Sequence, residues 1–149
     1  MFAGIGGFRS GLSKFGDFFV PVGFCEIDPY ARRAYEAIYD TKGELFFEDA
    51  RKIVAEELPD IDLICGGFPC QSFSIAGKRG GFEDARGTLF FEIARIARVK
   101  RPKYLLLENV PGLLSHDSGR TFATILNALS ELGYNVAWQV LNSANFGVP

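Results

Sequence analysis

Metal ligands and paired thiols are what this chain has least of. It holds one histidine and three cysteines, Cys25, Cys65 and Cys70, odd in number and without CxxC spacing. Free thiols in a reducing compartment fit that pattern better than a disulfide framework, and no metal site is expected. Also missing is any apolar run near the roughly 20 residues of a membrane span, and no signal-peptide pattern opens the 149 residues. A cytoplasmic setting with no membrane partner is therefore expected. An excess of positive charge is absent too. The 16 Lys and Arg face 18 Asp and Glu, for a net charge of −2, so the overall field of the chain does not grip nucleic acid. There are no repeats, no low-complexity tracts and no obvious linker, so residues 1–149 read as one partial domain, cut at both ends.

What is present is alternation. Phe8, Leu12 and Phe15 mark a short helix ended by Gly16, and Val20 to Cys25 reads as a strand. Asp28 followed by Pro29 gives a cap and first-turn proline for a helix through Ile38. Leu45 to Phe47 is a short strand, Ala50 to Leu58 a helix, and Ile61 to Cys65 an apolar strand covered on both faces. Helices over Leu89–Val99 and Gly119–Leu132 flank a strand at Tyr104–Leu107, and Tyr134–Leu141 reads as a last strand. The pattern predicts an α/β fold with a mostly parallel, Rossmann-like sheet.

In such sheets ligands collect outside the carboxyl ends of the strands. Gly4-Ile5-Gly6-Gly7 is a glycine-rich turn, although Arg9 stands where the third glycine of a dinucleotide fingerprint would be. Glu26, about 20 residues on at a strand end, suits ribose hydroxyls, while Asp28 takes the cap. Asp49 sits at the next strand end, with helix capping as its plainer role. Gly66-Gly67-Phe68-Pro69 then places Cys70 on a stiff turn. That thiol is either a nucleophile or a buried, inert side chain. Residues 72–88 form a long polar loop in which Lys78 and Arg79 suit phosphates or simply solvent. A carboxylate, Glu108, ends the following strand.

Those motifs, in this order, resemble the DNA cytosine-C5 methyltransferases, a family dependent on S-adenosylmethionine. The resemblance rests on Phe2-Ala3-Gly4-Ile5-Gly6-Gly7-Phe8-Arg9, Glu26-Ile27-Asp28, Glu48-Asp49, Gly67-Phe68-Pro69-Cys70-Gln71-Ser72-Phe73-Ser74, Gly87 to Glu92, Glu108-Asn109-Val110 and Val140 to Pro149. It implies a S-adenosylmethionine fold of the methyltransferase type and a cofactor site made by Phe2, Ala3, Gly4, Ile5, Gly6, Gly7, Glu26, Ile27, Asp49, Ala50, Pro69 and Leu89. It implies Cys70 as the nucleophile, Glu108 as the acid at N3 of a flipped-out cytosine, and Ser74, Lys78, Arg79 and Asn109 on the DNA side. The implied partner is double-stranded DNA, in a prokaryotic modification system.

The resemblance also implies parts beyond these residues: a strand before the glycine turn, a Gln-Arg-x-Arg segment after Pro149 and a target-recognition domain. The piece alone is expected to bind cofactor weakly and to methylate poorly or not at all. Two alternatives stay open. One is a half-enzyme or non-catalytic subunit that needs a second chain; the other is a tRNA cytosine-C5 methyltransferase, although the Gly-Phe-Pro-Cys-Gln wording favours DNA.

Overall fold

A computed structural model of the protein describes residues 1–69 and 89–147. The chain falls into two compact units, Met1–Asn109 and Val110–Pro149. The first contains helices α1 (Gly7–Ser13), α2 (Pro29–Ile38) and α3 (Leu89–Lys100), and strands β1 (Gly23–Cys25), β2 (Leu45–Phe47), β3 (Leu63–Gly67) and β4 (Tyr104–Glu108). The strands form two parallel pairs. β1 lies against β2 with Gly23 opposite Leu45, and β3 lies against β4 with Leu63 opposite Tyr104 and Gly67 opposite Glu108.

Residues 1–3 lie between the pairs. The Ala3 amide donates to the Cys25 carbonyl at 3.0 Å, and the Met1 amino group donates to the Cys65 carbonyl at 2.8 Å. Gly66 permits this approach, because a Cβ there would stand 2.7 Å from the Met1 carbonyl oxygen. The expected α/β class is what the chain adopts, with the strand ends of both pairs on one rim.

α3 supplies the core. Phe90, Ile93, Ala94 and Ala97 follow the i, i+3, i+4, i+7 spacing of one helix face, and Phe90, Ile93 and Ile96 are the largest fully enclosed side chains. α2 begins as expected: Asp28 Oδ1 accepts from the Tyr30 and Ala31 amides, and Pro29 occupies the first turn. Its one buried residue, Tyr35, stacks on Phe24 of β1 at 4.4 Å between ring centroids.

Two expected elements do not form. In place of a helix over Ala50–Leu58 there are two 3-10 turns, Ala50–Lys52 and Ala55–Glu57, joined through Ile53 and Val54 in extended conformation. Ile53 and Ala55 are both buried, and one straight helix would send residues two apart to opposite faces. The break lets both point inward. The expected strand Tyr134–Leu141 is irregular backbone. Its alternating Val136, Trp138 and Val140 are exposed, and no partner strand lies beside it among the described residues. Strand propensity expresses itself only against a neighbour.

The second unit is built on α4 (Arg120–Glu131), which buries Ile125, Ala128 and Leu129, and it ends at Gly133 with φ +88°. Two 3-10 turns precede it, Pro111–Leu114 and His116–Gly119, and one follows, Ser143–Phe146. Among the described residues no helix is long and apolar enough to cross a membrane.

Candidate functional site

A cleft of about 480 Å³ opens at the carboxyl ends of β1, β2 and β3. That is ample for a small organic ligand. Phe2 and Gly4 line it from the glycine turn, and Cys25, Glu26 and Ile27 from the end of β1. Glu48, Asp49, Ala50 and Arg51 contribute from the end of β2, Gly67 and Pro69 from the end of β3, and Leu89 from the start of α3. Eight of the residues assigned to a cofactor by resemblance therefore meet at one place. Ala3, Ile5, Gly6 and Gly7 do not line it.

Those four residues shape the turn instead. The Gly6 amide donates to the Ala3 carbonyl at 2.9 Å, and Gly6 itself has φ +94°. A Cβ at Gly6 would overlap the Tyr39 ring, whose hydroxyl donates to the Gly6 carbonyl at 2.8 Å. Glu26 fixes the other side of the turn: Oε2 accepts from the Gly4 amide at 2.7 Å and Oε1 from the Asp28 amide at 2.8 Å. Each carboxylate oxygen has two lone pairs, so both keep acceptor capacity for a ligand hydroxyl.

Asp49 does cap a turn, as its plainer reading held, and it lines the cleft as well. Its Oδ1 accepts from the Arg51 amide at 3.0 Å. The Arg51 guanidinium grips it in two-pronged fashion, Nε to Oδ1 at 2.9 Å and Nη2 to Oδ2 at 2.7 Å. Those hydrogen bonds hold the Asp49 carboxyl at about 2. Cys25 behaves in the opposite way: burial pushes its thiol up to about 11. Neither Arg51 nor Cys25 was expected at the site. An arginine two residues after a capping aspartate is a signal that could have been read.

The end of β3 is tied to the end of β4. The Glu108 carboxylate lies against Gly67, where a Cβ would meet Oε2 at 2.7 Å. Asn109 Nδ2 donates to the Phe68 carbonyl at 2.7 Å, and the Phe68 ring is buried against Phe90 at 5.3 Å between centroids. The chain entering Pro69 is thus held by its side chain and its carbonyl. Cys70, Ser74, Lys78 and Arg79 lie outside the described residues.

The walls are apolar at Phe2, Ile27, Ala50, Pro69 and Leu89, and the rim is acidic. The one cation on it is paired with Asp49, so the described lining offers no cluster of bases for a pyrophosphate. It suits a flat or aliphatic ligand carrying hydroxyl, amino or cationic groups. Among the described residues no group of His, Cys, Asp and Glu is placed to hold a metal.

The sequence profile of the C-5 cytosine-specific DNA methylase family matches residues 1–149. The chain belongs to this family. It is 52% identical to the type II methyltransferase M.NgoBI of Neisseria gonorrhoeae over 149 residues, which are 100% of this chain and 45% of that protein. It is 46% identical to the type II methyltransferase M.HhaI of Haemophilus parahaemolyticus, across 100% of this chain and 44% of that protein. The chain therefore spans less than half the length of these relatives. Among solved structures, a DNMT2 variant of Spodoptera frugiperda superposes with a TM-score of 0.61 at 22% identity, covering 88% of this chain and 39% of that one. That likeness concerns the fold, and family and fold together imply use of S-adenosylmethionine.

Proposed function

We propose that this chain carries the cofactor cleft and the nucleophile of a DNA cytosine-C5 methyltransferase. S-Adenosylmethionine, when bound, supplies an electrophilic methyl group. Glu26 would accept from its ribose hydroxyls, Asp49 would receive a donor from its far end, and Phe2, Ile27, Pro69 and Leu89 would enclose its apolar faces. The acidic rim and the absence of a phosphate-binding base cluster among the described lining residues favour a sulfonium nucleoside over a dinucleotide.

The substrate steps follow from ring chemistry. C5 of cytosine is too weak a nucleophile by itself. The Cys70 thiolate adds to C6 while Glu108 gives a proton to N3, and the electron pair displaced towards C5 takes the methyl group. A base then removes the C5 proton, that C–H pair re-forms the C5–C6 double bond and expels the Cys70 thiolate, and N3 returns its proton to the Glu108 carboxylate. The cytosine must leave the base stack for this to happen, at a cost of a few kcal/mol. Asn109 is assigned a positioning role, because it holds the carbonyl two residues before Cys70. The observation that supports the reading is the Glu108 carboxylate lying against Gly67, which stands three residues before Cys70 in the sequence.

The test uses the full chain with S-adenosylmethionine and duplex DNA containing 5-fluorocytosine, together with a polypeptide covering the remaining length of the relatives. Fluorine at C5 blocks the final proton loss, so a covalent protein–DNA adduct should survive denaturation. The adduct should vanish in Cys70→Ala and fall at least ~100-fold in Glu108→Gln. An adduct formed equally well by Cys70→Ala would overturn the nucleophile assignment.

A further inference from the structure

The least expected feature of the cleft is Arg51, the one cation among its described lining residues. Arg51 has a side chain 65% exposed, while that of Asp49 is 12% exposed. An ion pair with one partner so open to water adds little to stability. Its consequence is local: among the described lining residues it cancels one of three carboxylates and leaves Glu26 and Glu48. Lys52, on the same turn, and Glu92 of α3 also act on the pair through their charges. Glu92 is already paired with Arg95 at 2.8 Å, and Arg95 also donates to the Ala50 carbonyl at 3.2 Å. The two-pronged grip on Asp49 also fixes which way the guanidinium faces, so its charge sits at a defined place on the wall.

We propose that Arg51 is a specificity-determining residue of the cleft, setting how strongly the site prefers a sulfonium ligand over the corresponding thioether. The inference rests on the cleft being the cofactor site. S-Adenosylmethionine and S-adenosylhomocysteine share a nucleoside and an amino-acid tail and differ by a methyl group and one positive charge. An acidic wall favours the charged form, and a cation on that wall weakens the preference. With its arginine paired to Asp49, the site tells cofactor from product by less charge than its three acids would supply. Product release and cofactor capture are thereby balanced by one side chain that needs no contact with the reacting atoms.

The experiment measures equilibrium binding of both ligands by titration calorimetry, at low and high salt, to the full chain together with a polypeptide covering the remaining length of the relatives. In Arg51→Gln the ratio of thioether to sulfonium dissociation constants should rise about threefold at low salt and fall back towards the parent value in ~1 M salt. Asp49→Asn should move the ratio the other way, and the double variant should return it near the parent value. If Arg51→Gln changes both affinities by the same factor, the residue acts through the fold alone and the assignment fails. A ratio that moves but ignores salt would also overturn it. Failure of the parent chain to bind either ligand even with that polypeptide present would sink the cofactor reading itself, and this inference with it.

Discussion

Cys25 lines the cleft and is one of the three thiols in the chain, so its reactivity bears on which sulfur does chemistry. It is buried at the end of β1, and burial disfavours the thiolate. With the thiol pushed up to about 11, it stays neutral across the physiological range. Roughly one molecule in a thousand carries the anion at pH 8. Cys65, in β3, is likewise raised by burial. Alkylation of the folded chain with iodoacetamide, mapped by mass spectrometry, should therefore label Cys25 and Cys65 slowly. The rate at Cys25 should climb about tenfold per pH unit until the pH nears 11. Rapid labelling of Cys25 at pH 7 would contradict the enclosure described here. At this same scale, much of the site was legible. Glu26 and Asp49 were placed by their distance from strand ends, which topology dictates, and Asp28 by the proline that follows it. Arg51 was not, because its pairing with Asp49 leaves no periodic trace and only the two-residue spacing hints at it. The paired glycines before Phe68 turn out to make room for two close approaches. Gly66 admits the Met1 backbone and Gly67 admits the Glu108 carboxylate, both tertiary facts.

Between elements, the substitution of arginine for a third glycine turns out to have a structural meaning. Arg9, on α1, reaches across to the end of α2 and the start of β2. Nη1 pairs with Glu44 at 2.7 Å, Nη2 donates to the Asp40 carbonyl at 2.8 Å, and the guanidinium lies over the Tyr39 ring at 4.7 Å. Tyr39 in turn holds Gly6. The glycine turn is thus braced from behind by a cation that never enters the cleft. Both charges of the pair are largely enclosed, with side chains 17% and 7% exposed. Arg9→Met should lower stability by about 2 kcal/mol in urea unfolding, chiefly by leaving Glu44 enclosed without its partner. Adding Glu44→Gln should recover part of that loss; no recovery would mean that packing over Tyr39 dominates. The elements themselves were legible where local signals agree. α2 has its cap, its proline and its stripe, and α3 and α4 have full apolar faces. The Ala50–Leu58 stretch misled because helix formers surround Ile53 and Val54, while the inward packing of both Ile53 and Ala55, two residues apart, breaks the helix. Tyr134–Leu141 misled because its alternation is real but no ladder partner lies beside it among the described residues.

For the molecule as a whole, charge decides what it can hold by itself. Acidic residues outnumber basic ones, 18 to 16, and the cleft rim is acidic. The densest local run of bases is Arg98, Lys100, Arg101 and Lys103. Lys100 Nζ is taken by the Leu58 carbonyl at 2.6 Å, and Lys103 lies over the Tyr104 ring at 5.4 Å. Each phosphate neutralised by a protein cation contributes about −0.9 to the slope of log affinity against log salt. With a net charge of −2 and no excess of cations, the 149-residue chain should bind duplex DNA more weakly than roughly 10⁻⁵ M at physiological salt, with a slope shallower than about −3. Fluorescence anisotropy with a labelled duplex across a salt series measures both. Adding the polypeptide that covers the remaining length of the relatives should steepen the slope, because a base held out of its stack needs backbone contacts to keep the helix in register. Tight, steeply salt-dependent binding by the chain alone would relocate the DNA grip to these residues and remove the electrostatic reason for assigning it elsewhere.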